Sequence, residues 1–188
     1  MDTGDTAWVL ASAALVLLMT PGLALFYGGM VRAKSVLNMM MMSFGALALV
    51  GVLWVLWGYS MAFGDDVGGG LLGDPFEFFG LSDLLGTEGI DNGFAATNLV
   101  FTIPSMAFVA FQAVFAIITV ALISGAIADR AKFSAWMVFT GVWASIVYFP
   151  VAHWVFDFTV TEDDGTVSHT GGWIANNLKA LDLSLIHI

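Results

Sequence analysis

Two phenylalanine side chains spaced four residues apart are the first candidates for chemistry in this sequence. Phe111 and Phe115 share one face of a helix, and Gln112 lies beside them. An aromatic face attracts a cation by about 0.5–2 kcal/mol, and two such rings could also close a narrow pore. Packing against lipid or against another helix would need the same spacing, so the spacing alone leaves both interpretations open.

One of the three histidines, His153, is the other candidate. No other Asp, Glu, Lys, Arg or His interrupts the long apolar stretches of the chain. Ionisable side chains inside a membrane are functional candidates by default. A histidine near the end of a span can also serve only to hydrogen-bond a backbone carbonyl. A structural role and a functional role for His153 therefore both remain open.

Motifs typical of enzymes and of metal sites are missing from the sequence. It contains no cysteine, no HExxH pattern, no phosphate-binding glycine loop and no Ser-His-Asp arrangement. We therefore expect a protein that is not an enzyme and that carries no cofactor and no metal site.

Long apolar stretches must position these side chains. Four stretches, at residues 6–31, 35–64, 92–128 and 133–156, contain no Asp, Glu, Lys or Arg, and 59% of all residues are hydrophobic. Each stretch is long enough for one membrane crossing, because a spanning helix needs about 20 mostly apolar residues. The sequence predicts an all-α polytopic membrane protein with transmembrane helices at about 8–31, 36–63, 99–128 and 133–154.

The charged residues indicate the orientation of these helices. Four of the five Lys and Arg residues lie in two short hinges, at 32–34 and 130–132, whereas the acidic residues lie mainly near the N-terminus, at 65–91 and at 157–164. Because basic loops stay in the cytoplasm, we expect both hinges there and the N-terminus outside. The net charge of −10 argues against nucleic-acid binding.

Aromatic residues near the outer end of the second stretch indicate contact with the membrane surface. Trp54, Trp57 and Tyr59 lie close together in the sequence. Trp and Tyr concentrate at membrane–water interfaces. We expect these side chains to form part of an interfacial aromatic belt.

Four ordered blocks of sequence resemble the ammonium transporter family (Amt and Mep proteins and, more distantly, Rh proteins). They are residues 21–32 (PGLALFYGGMVR), 111–116 (FQAVFA) followed by 125–130 (GAIADR), 148–154 (YFPVAHW) and 180–182 (ALD). The first block is similar to the family's first-helix signature, and the last to the start of its D-F-A-G-G motif. The blocks match in order and spacing over nearly the whole chain to Asp182, so the chain is identified as an N-terminal portion of this family.

This resemblance implies a fold of about eleven helices, with two inverted repeats of about five helices around a pore in each subunit. On that basis residues 1–182 are the N-terminal part of the ammonium transporter domain, truncated within the first inverted repeat. Residues 183–188 (LSLIHI) stand where the family has F-A-G-G. We expect them to be a divergent tail, whose native origin stays open.

The resemblance also implies roles for particular residues. Phe111, Phe115, Phe156 and Asp182 would form the outer site that recruits ammonium, with Asp182 ordering the site without touching the ion. Phe115 would also be one of two rings that gate the pore. The cytoplasmic half of the pore would be lined by Phe26, Tyr27 and Leu122.

At Phe156 the sequence departs from the family, which usually has tryptophan there. Phenylalanine offers a weaker face to a cation and has no indole N–H. Trp154 or Trp173 could compensate. The pore histidines and the second gate phenylalanine of the family have no counterpart in these residues.

We therefore expect an ammonium or ammonia channel or transporter that crosses the plasma membrane several times. Its expected partners are ammonium, the lipid bilayer, two like subunits in a homotrimer and a PII-type regulator at the cytoplasmic face. The alternative is an ammonium sensor of the same family. The 188 residues alone are not expected to conduct, because half a repeat cannot enclose a pore.

Overall fold

The computed structural model of the protein describes residues 2–82, 84, 103–157, 160–161, 167–169 and 171–178. Within these residues four helices are long and apolar enough to cross a membrane: Thr3–Met30, Ala33–Phe63, Ser105–Ile127 and Phe133–Phe156. We refer to them as the first to fourth spans. The predicted all-α membrane fold with four spans is confirmed. The start predicted for the third helix, about residue 99, lies outside the described residues.

The spans consist of regular helices joined by short turns of different pitch. The first span is α1 (Thr3–Met30), and the second joins a 3₁₀ turn (Ala33–Ser35), α2 (Val36–Leu53), a π-helical turn (Trp54–Gly58) and α3 (Tyr59–Phe63). The third is α4 (Ser105–Ile123) with a 3₁₀ turn (Ser124–Ile127), and the fourth joins α5 (Phe133–Trp143), a π-helical turn (Ala144–Tyr148) and α6 (Phe149–Phe156). Outside the spans lie a 3₁₀ turn (Phe79–Leu81), an antiparallel pair of short strands, β1 (Val160–Thr161) and β2 (Val167–His169), and a π-helical turn (Ile174–Leu178).

The π-helical turns of the second and fourth spans lie against each other. Trp57 Nε1 donates to Ser145 Oγ at 3.2 Å. Gly58 faces the ring of Phe149, which would lie 2.6 Å from a Cβ at position 58. A π turn adds a residue to the helical repeat and so turns the following side chains around the helix. The paired turns bring α3 and α6 into contact at one end of the bundle.

Trp54 and Tyr59 lie in the protein core and not at the membrane surface. Each is 1% exposed. The Trp54 ring makes edge-on contacts with Tyr59, Phe63 and Phe149, at centroid distances of 6.0, 6.3 and 5.7 Å, and its indole N–H donates to the Val109 carbonyl at 3.2 Å. The belt prediction is wrong for both residues, because an aromatic near a span's end can face either lipid or neighbouring helices.

The two basic hinges lie at the same end of the bundle. Arg32 Nε is 3.9 Å from Asp129 Oδ2, and Asn38 Nδ2 donates to the carbonyl of Ala131 at 3.4 Å. The backbone of Asp129 adopts a left-handed conformation with φ of 64°, which aspartate tolerates better than most residues. The fold thus gathers four of the five basic residues at one end of the apolar spans.

Candidate functional site

The third span holds Phe111 and Phe115 in contact, as their spacing predicts. The ring centroids are 5.0 Å apart and the ring planes are inclined at 67°, an edge-to-face arrangement. Phe111 is only 6% exposed and packs into the core, whereas Phe115 is half-buried and borders a cavity. The structure therefore brings one of the two rings, Phe115, to a space that a ligand could occupy.

This cavity lies between the third and fourth spans and has a volume of about 430 Å³. The side chains around it are mostly aromatic or aliphatic, and none of them carries a charge. They are Gln112, Phe115, Thr119, Trp143, Val147, Tyr148, Val151, Ala152, Val155 and Phe156. Phe115 and Phe156, which lie 41 positions apart in the printed sequence, therefore meet at one surface.

Four aromatic rings give this cavity its chemistry: Phe115, Trp143, Tyr148 and Phe156. Aromatic faces attract small cations by the ring quadrupole, most strongly where water is excluded. The apolar walls replace little of a cation's hydration, so burying a full charge there is costly whereas a neutral molecule enters easily. Thr119 contributes little polarity, because its hydroxyl donates to the Phe115 carbonyl at 2.7 Å.

Trp154 does not supply to this cavity the indole that Phe156 lacks. Its indole N–H donates to the carbonyl of Leu71 at 2.7 Å, and its side chain is not among the cavity's walls. Trp173 packs beside it, with ring centroids 6.1 Å apart, and its own indole nitrogen is buried without a hydrogen-bond partner among the described residues. At the cavity itself, the indole comes from Trp143.

The residues expected at the cytoplasmic half lie together on the first and third spans. Tyr27 Oη donates to the Leu122 carbonyl at 3.1 Å, and the rings of Phe26 and Tyr27 are 5.9 Å apart. Gly125 makes room for Tyr27, whose ring would lie 2.7 Å from a Cβ there. Phe26 and Leu122 are 62% and 48% exposed, so these two side chains bound no enclosed space among the described residues.

His153 is fully buried at the end of the fourth span. Its Nδ1 is 3.3 Å from the Ala62 carbonyl oxygen and 3.3 Å from Asp157 Oδ2, and its Nε2 is 3.5 Å from Asp66 Oδ1. The carbonyl contact that the sequence left open is therefore present, and two carboxylates accompany it. Asp182, the remaining predicted site residue, lies outside the described residues.

Sequence reasoning missed several walls of the cavity, although a signal for them exists. Tyr148, Val151, Ala152 and Val155 recur, together with the predicted Phe156, at the three- and four-residue spacing of one helical face. Thr119 likewise follows Phe115 by one turn. Trp143 lies four residues before Val147, another wall of the cavity, and so belongs to the same helical spacing.

Comparison with known sequences identifies a family that matches almost the whole chain. The profile of the Ammonium Transporter Family matches residues 7–184. An ammonium transporter of Mycobacterium bovis is 60% identical over 189 aligned residues, which cover 97% of this chain and 38% of that protein. The chain thus spans well under half the length of the curated relative that it matches.

Solved structures give the same result at the level of the fold. Mep2 of Saccharomyces cerevisiae superimposes with a TM-score of 0.71 at 35% identity, over 84% of this chain and 32% of that one. A structure described as a sensor Amt protein has a TM-score of 0.73 at 23% identity, over 90% of this chain and 36% of that one. At that identity the second likeness concerns the fold alone.

Proposed function

This chain belongs to the ammonium transporter family, and from that premise we propose that the protein transports ammonium or ammonia across a membrane. The observation that carries the proposal is the uncharged cavity between the third and fourth spans, walled by Phe115 and Phe156. Its aromatic walls suit a small cation at the entrance, and its apolar character suits a neutral molecule further in.

We assign the following roles in transport to residues of this chain. Phe111, Phe115 and Phe156 form the outer recruitment site, together with Asp182, and the Phe115 ring gates the way inward. Ammonium gains cation–π stabilisation at the rings but loses hydration beyond them, which favours transfer of its proton to water at the mouth of the cavity and passage as ammonia. Potassium has no proton to release, so the same apolar barrier rejects it. Phe26, Tyr27 and Leu122 line the cytoplasmic half.

The charge distribution supports an orientation in the plasma membrane. Arg32, Lys34, Arg130 and Lys132 are all exposed at one end of the spans, and basic loops remain cytoplasmic. In this orientation the N-terminus and the cavity end of the fourth span face outward. The exposed basic end is also where a PII-type regulator would dock, and the exposed faces of the spans are available to like subunits of a homotrimer.

The domain division follows from the same premise. Residues 1–182 form the N-terminal part of the transporter domain, and residues 183–188 are a divergent tail. Sequencing the coding DNA past codon 182 tests this division. A frame that continues into F-A-G-G contradicts a native tail at 183–188, and a stop codon after Ile188 supports it.

Growth rescue tests the function. The gene, expressed over its whole reading frame, should restore growth on limiting ammonium to cells that lack their own ammonium transporters, and excess potassium should not compete. Phe115→Ala should alter ammonium uptake, whereas Val138→Ala, at a position 69% exposed on the same pair of spans, should not. A membrane-inserted product that gives neither rescue nor uptake contradicts the proposal.

A further inference from the structure

Gln112 is a polar side chain within the apolar third span, and the proposed transport path gives it no role. It is 6% exposed, and it lines the cavity between the third and fourth spans. A buried amide without a hydrogen-bond partner is unfavourable. A glutamine at such a position therefore indicates that something in the cavity pairs with it.

The residues that the structure describes offer no hydrogen bond to the Gln112 carboxamide. The hydroxyls of Thr20, Ser43 and Thr140 also lack a partner among these residues, but they are sealed within the packed protein. Gln112 differs from them because it borders a space of about 430 Å³. A small polar molecule in that space can therefore serve as the partner that the helices do not provide.

Gln112 is the wall of this cavity that carries a side-chain carbonyl oxygen. Among the other walls, Thr119, Trp143 and Tyr148 have a polar side-chain atom. The Thr119 hydroxyl already donates to the Phe115 carbonyl at 2.7 Å, and the Trp143 indole can only donate. Ammonium brings donors and no lone pair. The Gln112 oxygen, with two lone pairs, is an acceptor that these walls otherwise offer only through hydroxyl groups.

The position of Gln112 along the third span matches this use. It precedes Phe115 by three residues, which places it about 4.5 Å along the axis and on the same side of α4. Phe108, one turn earlier, contacts Phe63 of α3 with ring centroids 5.1 Å apart, so this direction leads to the end where α3 meets α6. Phe156 of α6 walls the cavity at that end. Gln112 therefore lies between the Phe156 end of the cavity and the ring proposed as the gate.

A carboxamide suits both protonation states of the proposed substrate. Ammonium only donates hydrogen bonds, whereas ammonia can also accept one at its lone pair. The Gln112 side chain has an acceptor oxygen and two N–H donors, so it can pair with either species. It also carries no charge, whereas a buried carboxylate would hold ammonium more strongly and oppose the release of its proton.

We propose that Gln112 is a specificity-determining residue of this cavity, and that its side-chain oxygen accepts a hydrogen bond from ammonium on the Phe156 side of the Phe115 ring. This inference rests on the proposed function and assigns a recognition group to it. Potassium gains little from the same oxygen, because proteins that bind potassium replace its hydration shell with rings of carbonyl oxygens. One carbonyl among aromatic walls leaves most of that shell unreplaced. Selection for ammonium therefore uses a directional N–H bond as well as the apolar barrier.

Nuclear magnetic resonance tests the contact without requiring transport. The product of the whole reading frame is labelled with ¹⁵N-glutamine and held in lipid nanodiscs. The side-chain amide signal that both Gln112→Leu and Gln112→Glu remove belongs to Gln112. Ammonium chloride should shift that signal in a saturable way, and the same concentration of potassium chloride should leave it in place. A Gln112 signal that is indifferent to ammonium, or that responds equally to potassium, overturns the proposal.

Uptake measurements test the consequence for transport. Gln112→Leu should raise the half-saturating ammonium concentration by about tenfold with a smaller change in maximal rate, since a hydrogen bond to a charged ligand is lost. Gln112→Glu keeps an acceptor oxygen but adds a charge, so it should lower the maximal rate instead. Asn38→Leu is the matched control. It removes an amide that donates to the Ala131 carbonyl outside the cavity, and it should leave the half-saturating concentration unchanged.

The thermal stability of Gln112→Leu separates a local effect from misfolding. The variant should unfold at the same temperature as the unaltered protein or higher, because it removes a buried amide that has no partner among the described residues. A folded Gln112→Leu variant with an unchanged half-saturating concentration overturns the proposal. If the unaltered protein takes up no ammonium, the proposed function fails, while the ammonium titration still decides the role of Gln112.

Discussion

The outer and cytoplasmic groups of predicted site residues differ in how completely this chain builds their surroundings. At the outer end, Phe111 is 6% exposed and Phe115 and Phe156 wall a cavity. In the group predicted for the cytoplasmic half, the Tyr27 hydroxyl donates to the Leu122 carbonyl, and Phe26 and Leu122 are 62% and 48% exposed. One group is partly buried around a cavity between two spans, whereas two of the three side chains in the other group are exposed.

The difference follows from which spans pack together. The second, third and fourth spans share an aromatic core around Trp54, Phe63 and Phe149, which extends to the end of the bundle where α3 and α6 meet. The first span packs on the second and third along one side only. In its 18-residue apolar stretch 17% is buried, against 61% in the corresponding stretch of the third span. The residues predicted for the outer site therefore lie between packed spans, whereas those predicted for the cytoplasmic half lie on a more exposed side of the bundle.

The largest difference in stability between variants of the two groups is expected when a buried ring and an exposed ring are each removed. Phe111→Ala should destabilise the protein by a few kcal/mol, near the lower end of the roughly 3–5 kcal/mol found in soluble cores, because packing is lost but the surroundings stay apolar in lipid. Phe26→Ala should cost well under half of that. Thermal unfolding in detergent measures both, and equal losses would contradict the contrast.

A second pair of variants tests the contact between the π-helical turns. Gly58→Ala places a methyl group against the Phe149 ring and should cost about 1–3 kcal/mol, as overpacking usually does. Gly29→Ala is the matched control near the end of the first span, because nothing lies within 4 Å of a Cβ there. It should leave the unfolding midpoint unchanged or raise it. A stable Gly58→Ala variant would show that the two turns are less tightly packed.

A smaller effect is expected at the hydrogen bond between Tyr27 and the Leu122 carbonyl. Tyr27→Phe keeps the ring but removes the hydroxyl that donates to the Leu122 carbonyl. The loss should be about 0.5–1.5 kcal/mol, the net value of a typical hydrogen bond. The measurement is the midpoint of thermal unfolding of Tyr27→Phe, compared with that of Phe26→Leu at the exposed neighbouring residue. No difference between them would mean that the hydroxyl has an equally good alternative partner.

The smallest effect is a dependence of stability on pH at Asp66. The pKa of Asp66 is lowered from 3.8, so its carboxylate contributes stability that is present above about pH 4 and is lost as the pH falls through the lowered value. Asp66→Asn should be less stable than the unaltered protein near neutral pH, and the gap should narrow below about pH 4. A gap that is independent of pH would assign the loss to packing.

Particular residues show how far the sequence reaches. The absence of charge from 133–156 predicted the fourth span, and the four-residue spacing predicted the contact of Phe111 with Phe115. The same kind of reasoning misplaced Trp54 and Tyr59, because hydrophobicity marks a residue as buried without telling lipid from protein. The roles of Phe26, Tyr27, Leu122 and Asp182 remain predictions from family resemblance.

By itself, the sequence determined the number of spans, their apolar character, the grouping of positive charge and the family, because these depend on composition and order along the chain. Only the tertiary structure decided that Phe115 and Phe156 wall one cavity, that Phe111 packs into the core, and that His153 lies between Asp66 and Asp157. These last relations join residues from different spans and loops. They depend on how the helices pack and on the π-helical turns that rotate one helix face toward another, and a linear pattern of residues does not specify either.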